Sequence, residues 1–357
     1  MRSAAVPLRA KTICFADIES VPIEWLWPGR IALGKLTMIA GDPGLGKSLI
    51  TVALAEHVST GTPWPVDRSP CQVGDVVLLS AEDDPGDTVR PRLDAARANV
   101  RRIHTVSMIR EADENGKSFE RFLSLKRDVN ALDELLQTMP SCRLLVVDPV
   151  TAYLDGTDSH KNADVRGLLA PLASLAGRRR VAIVCVTHLN KGGSSTAMYR
   201  ATGSLAFVAA SRAYFQVTKD SENPNRRLVL PVKNNLAPDQ AGVAYSVTTG
   251  TNGAPTLLWE DDPVEMSADE ALAYDHPEDT QSGARECQDW LRELLVEGSM
   301  QASVVQKEAR QAGFSDKNLR TARARLGIKP GRRAFAGGWS WSLPSLQDAQ
   351  GAQDAQQ

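Results

Sequence analysis

The chain alternates continuous apolar runs with stretches of helical spacing. Leu36-Thr37-Met38-Ile39-Ala40, Val76-Val77-Leu78-Leu79-Ser80, Leu144-Leu145-Val146-Val147-Asp148 and Val181-Ala182-Ile183-Val184-Cys185-Val186 show no apolar-polar alternation. A strand that is apolar at successive positions is buried on both faces, as in a parallel sheet covered by helices on each side. Between the runs, Leu49–His57 and residues 123–139 carry apolar residues at helical spacing, the second through Val129, Leu132, Leu135 and Leu136. Ile103-His104-Thr105-Val106 reads as a weaker strand, and the β-prone runs Ala213–Thr218 and Leu228–Val232 read as hairpin-like additions. Four buried parallel strands alternating with helices predict an α/β fold built on a doubly wound sheet.

The pattern changes after residue 250. Nine acidic residues and no Lys or Arg lie between Glu260 and Gln281, which predicts an acidic linker over 251–283. Beyond it, Cys287, Trp290, Leu291, Leu294 and Leu295 mark one helix, and Val304, Val305 and Ala309 a second. Leu319, Ala322 and Leu326 share a face of a third helix over 315–326, leaving Lys317, Arg320, Arg323 and Arg325 outward. Residues 328–343 read as a glycine-turned hairpin, with Trp339 and Trp341 on its core side. The expected organisation is a lead-in at 1–30, a core at 31–250, the linker, a small module at 284–343 and a disordered tail at 344–357. In the lead-in, Trp25 and Trp27 either cover a sheet edge or form an adenine-side lid or subunit contact.

Composition adds little to this, and charge adds one point. With 357 residues, 42% hydrophobic and 24% charged, the chain is ordinary for a soluble globular protein. It has no apolar run long enough for a membrane span or signal peptide, and five scattered cysteines without a C-x-x-C pair, so a reduced, cytoplasmic setting is expected. The net charge of −2 averages the acidic stretch with a basic one, nine Lys and Arg against Glu308 and Asp316 between Lys307 and Arg333. That points toward nucleic acid at the C-terminal module only.

The candidate chemistry sits at the ends of the apolar runs. Gly41-Asp42-Pro43-Gly44-Leu45-Gly46-Lys47-Ser48, followed by Leu49, is a complete G-x-x-x-x-G-K-[ST] loop between a strand and a helix. Such a loop turns backbone N–H groups toward a phosphate, and the helix adds its positive end. Lys47 would bridge the β- and γ-phosphates of a nucleoside triphosphate, and the Ser48 hydroxyl would hold Mg²⁺. Ala81-Glu82-Asp83-Asp84 ends the second run. Glu82 is placed to orient and deprotonate an attacking water, while Asp83 and Asp84 better fit caps for a helix starting near Pro85. Asp148 ends the third run as a metal-positioning acid. His188 ends the fourth, where it either reports loss of the γ-phosphate or is an edge histidine with its partners satisfied.

Gly41–Ser48, Ala81-Glu82-Asp83, Leu145-Val146-Val147-Asp148 and Val186-Thr187-His188, in that order, resemble the RecA-like ATPases. Among them the RepA-type hexameric replicative helicases are the nearest likeness, over roughly residues 15–250. The resemblance implies a RecA-like P-loop NTPase core with Glu82 as catalytic base, Asp148 as the acid at the metal and His188 as sensor. It also implies a basic finger from a neighbouring subunit, best matched by Arg212 and next by Arg200, and hence a homo-oligomer, most simply a hexameric ring. The loop at 190–203 would face single-stranded DNA. Related helicases carry a Lys-x-Arg pair where this chain reads Lys233-Asn234-Asn235, so the arginine is missing. The C-terminal module resembles a winged helix-turn-helix domain, with helix 315–326 on duplex DNA and Arg332 and Arg333 on phosphates, or else docked on a replication protein.

Three function classes follow. The first is an ATP-driven DNA helicase acting on single strands in plasmid, phage or mobile-element replication. The second is an ATP-switched DNA-binding regulator or recombination-type loader that separates no strands. A small-molecule P-loop kinase is disfavoured, because a kinase avoids a water-activating base where Glu82 sits.

Overall fold

The computed structural model describes residues 12–112, 117–155, 162–188, 205–275, 287–296, 298–312, 314, 316–328, 331–332 and 339–343. Nine strands form one sheet: β1 (Leu36–Gly41), β2 (Asp75–Ser80), β3 (Ile103–Thr105), β4 (Cys142–Asp148), β5 (Ala182–His188), β6 (Ala213–Lys219), β7 (Arg226–Asn234), β8 (Val243–Thr249) and β9 (Pro255–Trp259). Their order is β9-β8-β7-β6-β1-β5-β4-β2-β3. From β6 to β3 all neighbours are parallel, whereas β6-β7, β7-β8 and β8-β9 pair antiparallel. The parallel part therefore has six strands rather than four. The weak run at 103 is its edge, and Ala213–Lys219 joins it beside β1 while also opening the antiparallel extension.

Connections from β1 run to one side of the sheet and β6 lies on its other side, so the chain reverses at β1. In an open α/β sheet the crevice at such a reversal, beyond the carboxyl ends of the strands, is where ligands bind. The helix Lys47–Thr60, α1, starts there. Leu49, Ile50, Val52, Leu54, Ala55 and Val58 on it are buried, so it shows no polar face. The reason is that β9 of the antiparallel extension packs against α1, which is thus covered by more than the parallel sheet.

Three expectations are corrected. Residues 255–275 are not a linker: Pro255–Trp259 is the last strand, Val264 bridges to Gly242, and helix Ala268–Asp275 buries Ala268 and Ala271 against Leu228, Leu230 and Ala244. The acids of this stretch lie between those apolar anchors. The boundary at residue 30 also falls inside a packed unit. Trp25–Trp27 pairs with Ile31–Ala32, and Trp27, 4% exposed, stacks on Trp64 at 4.9 Å and meets Trp259 edge-on at 6.0 Å. Trp27 is thus a packing residue. Finally, the helix expected over 123–139 spans only Val129–Thr138. Leu123 and Leu125 are buried before it in an irregular stretch that Asp128 fixes by accepting from the Ser124 N–H at 2.8 Å and pairing with Arg121 at 2.6 Å. An antiparallel hairpin, Ile109–Ala112 with Ser118–Arg121, was not expected.

Near the C-terminus, residues 287–294 are helical, followed by Met300–Gln301, helices Ala302–Gln311 and Asp316–Arg325, and strands Gly331–Arg332 and Trp339–Trp341. The three short strands form one sheet with Trp339–Trp341 in the middle. Cys287, Leu291, Leu295, Val305, Ala309, Leu319, Ala322, Ile328 and Trp341 make a separate core, while Val304 stays exposed. Among the described residues no helix is long and apolar enough to cross a membrane. Arg200, Arg333, the loop at 190–203, residues 276–286 and the tail at 344–357 lie outside the described residues.

Candidate nucleotide site

The carboxyl ends of β1, β5, β4 and β2 bring the predicted residues together. Gly41 at the end of β1 registers with His188 of β5, and Ser80 of β2 with Asp148 of β4. The loop leaves β1 through Gly41 and enters α1 through two left-handed glycines, Gly44 at φ +78° and Gly46 at φ +86°. Only glycine holds that conformation without strain, and it turns successive peptide groups about the loop. Lys47 is 5% exposed, and its ammonium donates to the carbonyls of Gly41 and Asp42, both at 2.8 Å. Burial pulls its pKa down, while the charges of Asp148, Asp42 and Glu82 oppose that shift.

Gly41 is required for a different reason. A Cβ there would lie 2.7 Å from the Val217 carbonyl of β6, a backbone atom that cannot turn aside. We expect Gly41→Ala to shift β1 against β6, costing about 1–3 kcal/mol of stability as overpacking does. Chemical denaturation of the purified variant measures this, and an unchanged midpoint would refute the fit.

Asp148 is 9% exposed and has a hydroxyl on either side. Thr51 donates to it at 3.3 Å, and Ser48 also hydrogen-bonds to it. Burial pushes its pKa up to about 6, which those two hydroxyls and Lys47 moderate and Asp83 reinforces. Among the described residues no group of three or more His, Cys, Asp or Glu could hold a metal alone. A hydroxyl and one buried carboxylate are hard oxygen donors, which suit Mg²⁺ held mainly by waters and substrate phosphates. Thr51 was missed in the sequence, although it lies one turn beyond Ser48 on the same helix face.

The three acids after β2 separate by their partners. The Ala81 N–H donates to the Asp148 carbonyl at 3.1 Å, which ties this turn to β4. Asp83 pairs with Arg92 at 2.6 Å. Asp84 accepts from the N–H groups of Gly86 and Asp87 at 2.7 and 3.1 Å, capping the wide turn Pro85–Val89 that leads into helix Arg90–Ala95. Glu82 is exposed and makes no such bond among the described residues, yet its charge is felt at both Lys47 and His188. His188 itself has a buried Nδ1 without a hydrogen-bond partner among the described residues, and burial followed by the Lys47 charge pulls its pKa down.

Arg212 is elsewhere. It is exposed and precedes β6, at the opposite end of the strand from Gly41, and its N–H bonds the Leu36 carbonyl at the start of β1. Six residues of strand, about 20 Å, separate it from the loop of its own chain. Beside it, the Lys233 ammonium donates to the carbonyls of Val208 and Ser211 at 2.7 and 2.8 Å.

The profile of a family described as an AAA domain matches residues 5–194. The chain belongs to that family. Together with the sheet order and the loop, the match makes this core a RecA-like P-loop ATPase. The chain is also similar to the DNA repair protein RadA of two strains of Mycobacterium tuberculosis, CDC 1551 / Oshkosh and ATCC 25618 / H37Rv. The identity is 26% over 261 residues in each case, covering 70% of this chain and 46% of the relative. The chain thus spans about half the length of the curated relatives it matches.

Proposed function

We propose that the protein hydrolyses ATP with Mg²⁺ and uses the cycle to act on single-stranded DNA, as a RepA-like helicase in plasmid, phage or mobile-element replication. The observation that carries the reading is the meeting of Gly41–Ser48, Glu82, Asp148 and His188 at one end of the sheet. In this reading Lys47 and the loop N–H groups bind phosphate, and Ser48 and Asp148 hold the metal, which neutralises charge on the phosphates. Glu82 takes a proton from water, and His188 senses the γ-phosphate. Arg212 lies too far from its own loop to serve it, so it would complete the site of a neighbour in a homo-oligomeric ring, with loop 190–203 toward the strand and Arg200 as the second candidate. The C-terminal helices and three-stranded sheet fit a winged helix-turn-helix. Exposed Arg320 and Arg325 would face duplex DNA or a replication protein, while Arg323 lies over the Trp341 ring at 5.1 Å.

A second reading, an ATP-switched DNA-binding regulator or recombination-type loader, is favoured by two observations. The relatives are named for DNA repair, and Lys233-Asn234-Asn235 lacks the arginine of related helicases. ATP turnover with and without single-stranded DNA, blanked with Lys47→Ala, separates the two. Stimulation by single strands of about tenfold or more, with strand separation on a forked duplex, supports the motor. Slow turnover indifferent to single strands sinks it and leaves the switch.

A further inference from the structure

The phosphate-binding loop is held from a part of the chain that its motif does not include. Leu45 lies between Gly44 and Gly46, both left-handed, so the peptide group joining Leu45 to Gly46 has little steric resistance to turning over. In one orientation its carbonyl points away from the place of the phosphate and leaves N–H groups facing inward. Turned over, it would put a partial negative charge where the anion must sit. The Tyr245 hydroxyl, on β8, donates to this carbonyl at 2.6 Å. Tyr245 is wholly buried, and its ring is fixed edge-on against Trp259 at 5.7 Å. Burial also pushes its pKa up, so the hydroxyl stays a donor across the working pH range.

We infer that Tyr245 is a positioning residue for the nucleotide: its hydroxyl locks the Leu45 carbonyl outward and so presets the loop for phosphate. The inference rests on the nucleotide-binding reading above. It also gives the antiparallel extension a function beyond covering α1. The strand that bears Tyr245 lies three places from β1 in the sheet, yet it reaches the loop across α1's first turn, where Val247 and the Tyr245 hydroxyl flank Gly46.

Tyr245→Phe removes one oxygen and keeps the ring, so the variant tests the hydrogen bond in a folded chain. Two readouts are made on the full-length protein. The first is the KM and kcat for MgATP, expected to split: KM rises about tenfold, the size of one lost hydrogen bond to a buried carbonyl, while kcat at saturation stays within about twofold. The second is amide exchange in the nucleotide-free protein at Leu49 and Ile50, whose N–H groups donate to the Gly46 carbonyl at 2.9 and 3.1 Å. These amides are expected to exchange about tenfold faster once the preceding peptide is released. Unchanged exchange overturns the inference whether or not the protein binds nucleotide. An unchanged KM overturns it equally where the wild type binds MgATP. A wild type indistinguishable from Lys47→Ala in MgATP binding would instead defeat the nucleotide reading, leaving the exchange rates to decide the clamp.

Discussion

Replacing Glu82 with glutamine is expected to lower kcat for ATP hydrolysis by about 10²- to 10⁴-fold, with MgATP affinity within a few-fold of wild type. Three consecutive acids leave β2, and two of them have local work: Asp83 holds Arg92, and Asp84 caps the Pro85 turn. The turn itself is anchored to β4 through the Ala81 N–H, so Glu82 is presented from a fixed backbone. Its carboxylate is exposed and without a hydrogen-bond partner among the described residues, and it faces Lys47 and His188 closely enough for its charge to act on both. A base needs that combination of rigidity and an unoccupied lone pair. Glutamine keeps the shape and loses the proton affinity, so binding survives and turnover does not. The check is steady-state hydrolysis beside an equilibrium binding measurement. Near-wild-type turnover in the variant would remove the water-activating role and bring back phosphate transfer to a small-molecule acceptor.

The parts of this site that the sequence announces are the ones whose chemistry is local. A phosphate loop needs its glycines and lysine within eight residues, and strands buried on both faces must be apolar throughout. Their carboxyl-terminal residues Asp148 and His188 therefore stand out at the ends of apolar runs. What the sequence hides is set by distant partners. Nothing near Tyr245 marks it as a neighbour of Leu45, 200 residues earlier, because the contact depends on where β8 falls in the sheet order. The stretch 255–275 misleads for a related reason. Its acidic composition suggests a linker, but composition averages over positions, and a few well-spaced residues (Val264, Ala268 and Ala271) suffice to bind it to β7 and β8. The early start expected for the Val129 helix has the same origin, since Leu123 and Leu125 are buried without being helical. The Arg212 assignment came from resemblance, and strand direction constrains it: a residue at the amino end of β6 lies too far from its own chain's loop to reach it.

Asp148→Asn is expected to destroy turnover and at the same time to stabilise the nucleotide-free protein. The carboxyl's pKa is raised from 3.8 to about 6, chiefly by burial. A carboxyl that holds its proton more tightly when folded contributes full stability below its unfolded pKa and loses it as pH rises through the folded value. Above about pH 7 the ionised, buried group therefore costs the wild type up to about 3 kcal/mol. Asparagine removes that charge while still able to accept from the Ser48 and Thr51 hydroxyls. At pH 8 the variant should melt on the order of 5 °C higher than the wild type. At about pH 4.5, where the folded wild type is mostly protonated, the gain should shrink to about a third. Adding MgATP should reverse the ranking at pH 8, because the wild-type carboxylate then gains a cation and the variant does not. Thermal melts at the two pH values, with and without MgATP, test all three statements. A variant no more stable than wild type at pH 8 would mean that Ser48, Thr51 and Lys47 already compensate the charge. The strain at the carboxylate would then not be the source of the site's affinity for metal. If the reversal is seen, the same buried charge that weakens the empty protein is what draws the metal and its nucleotide into the crevice.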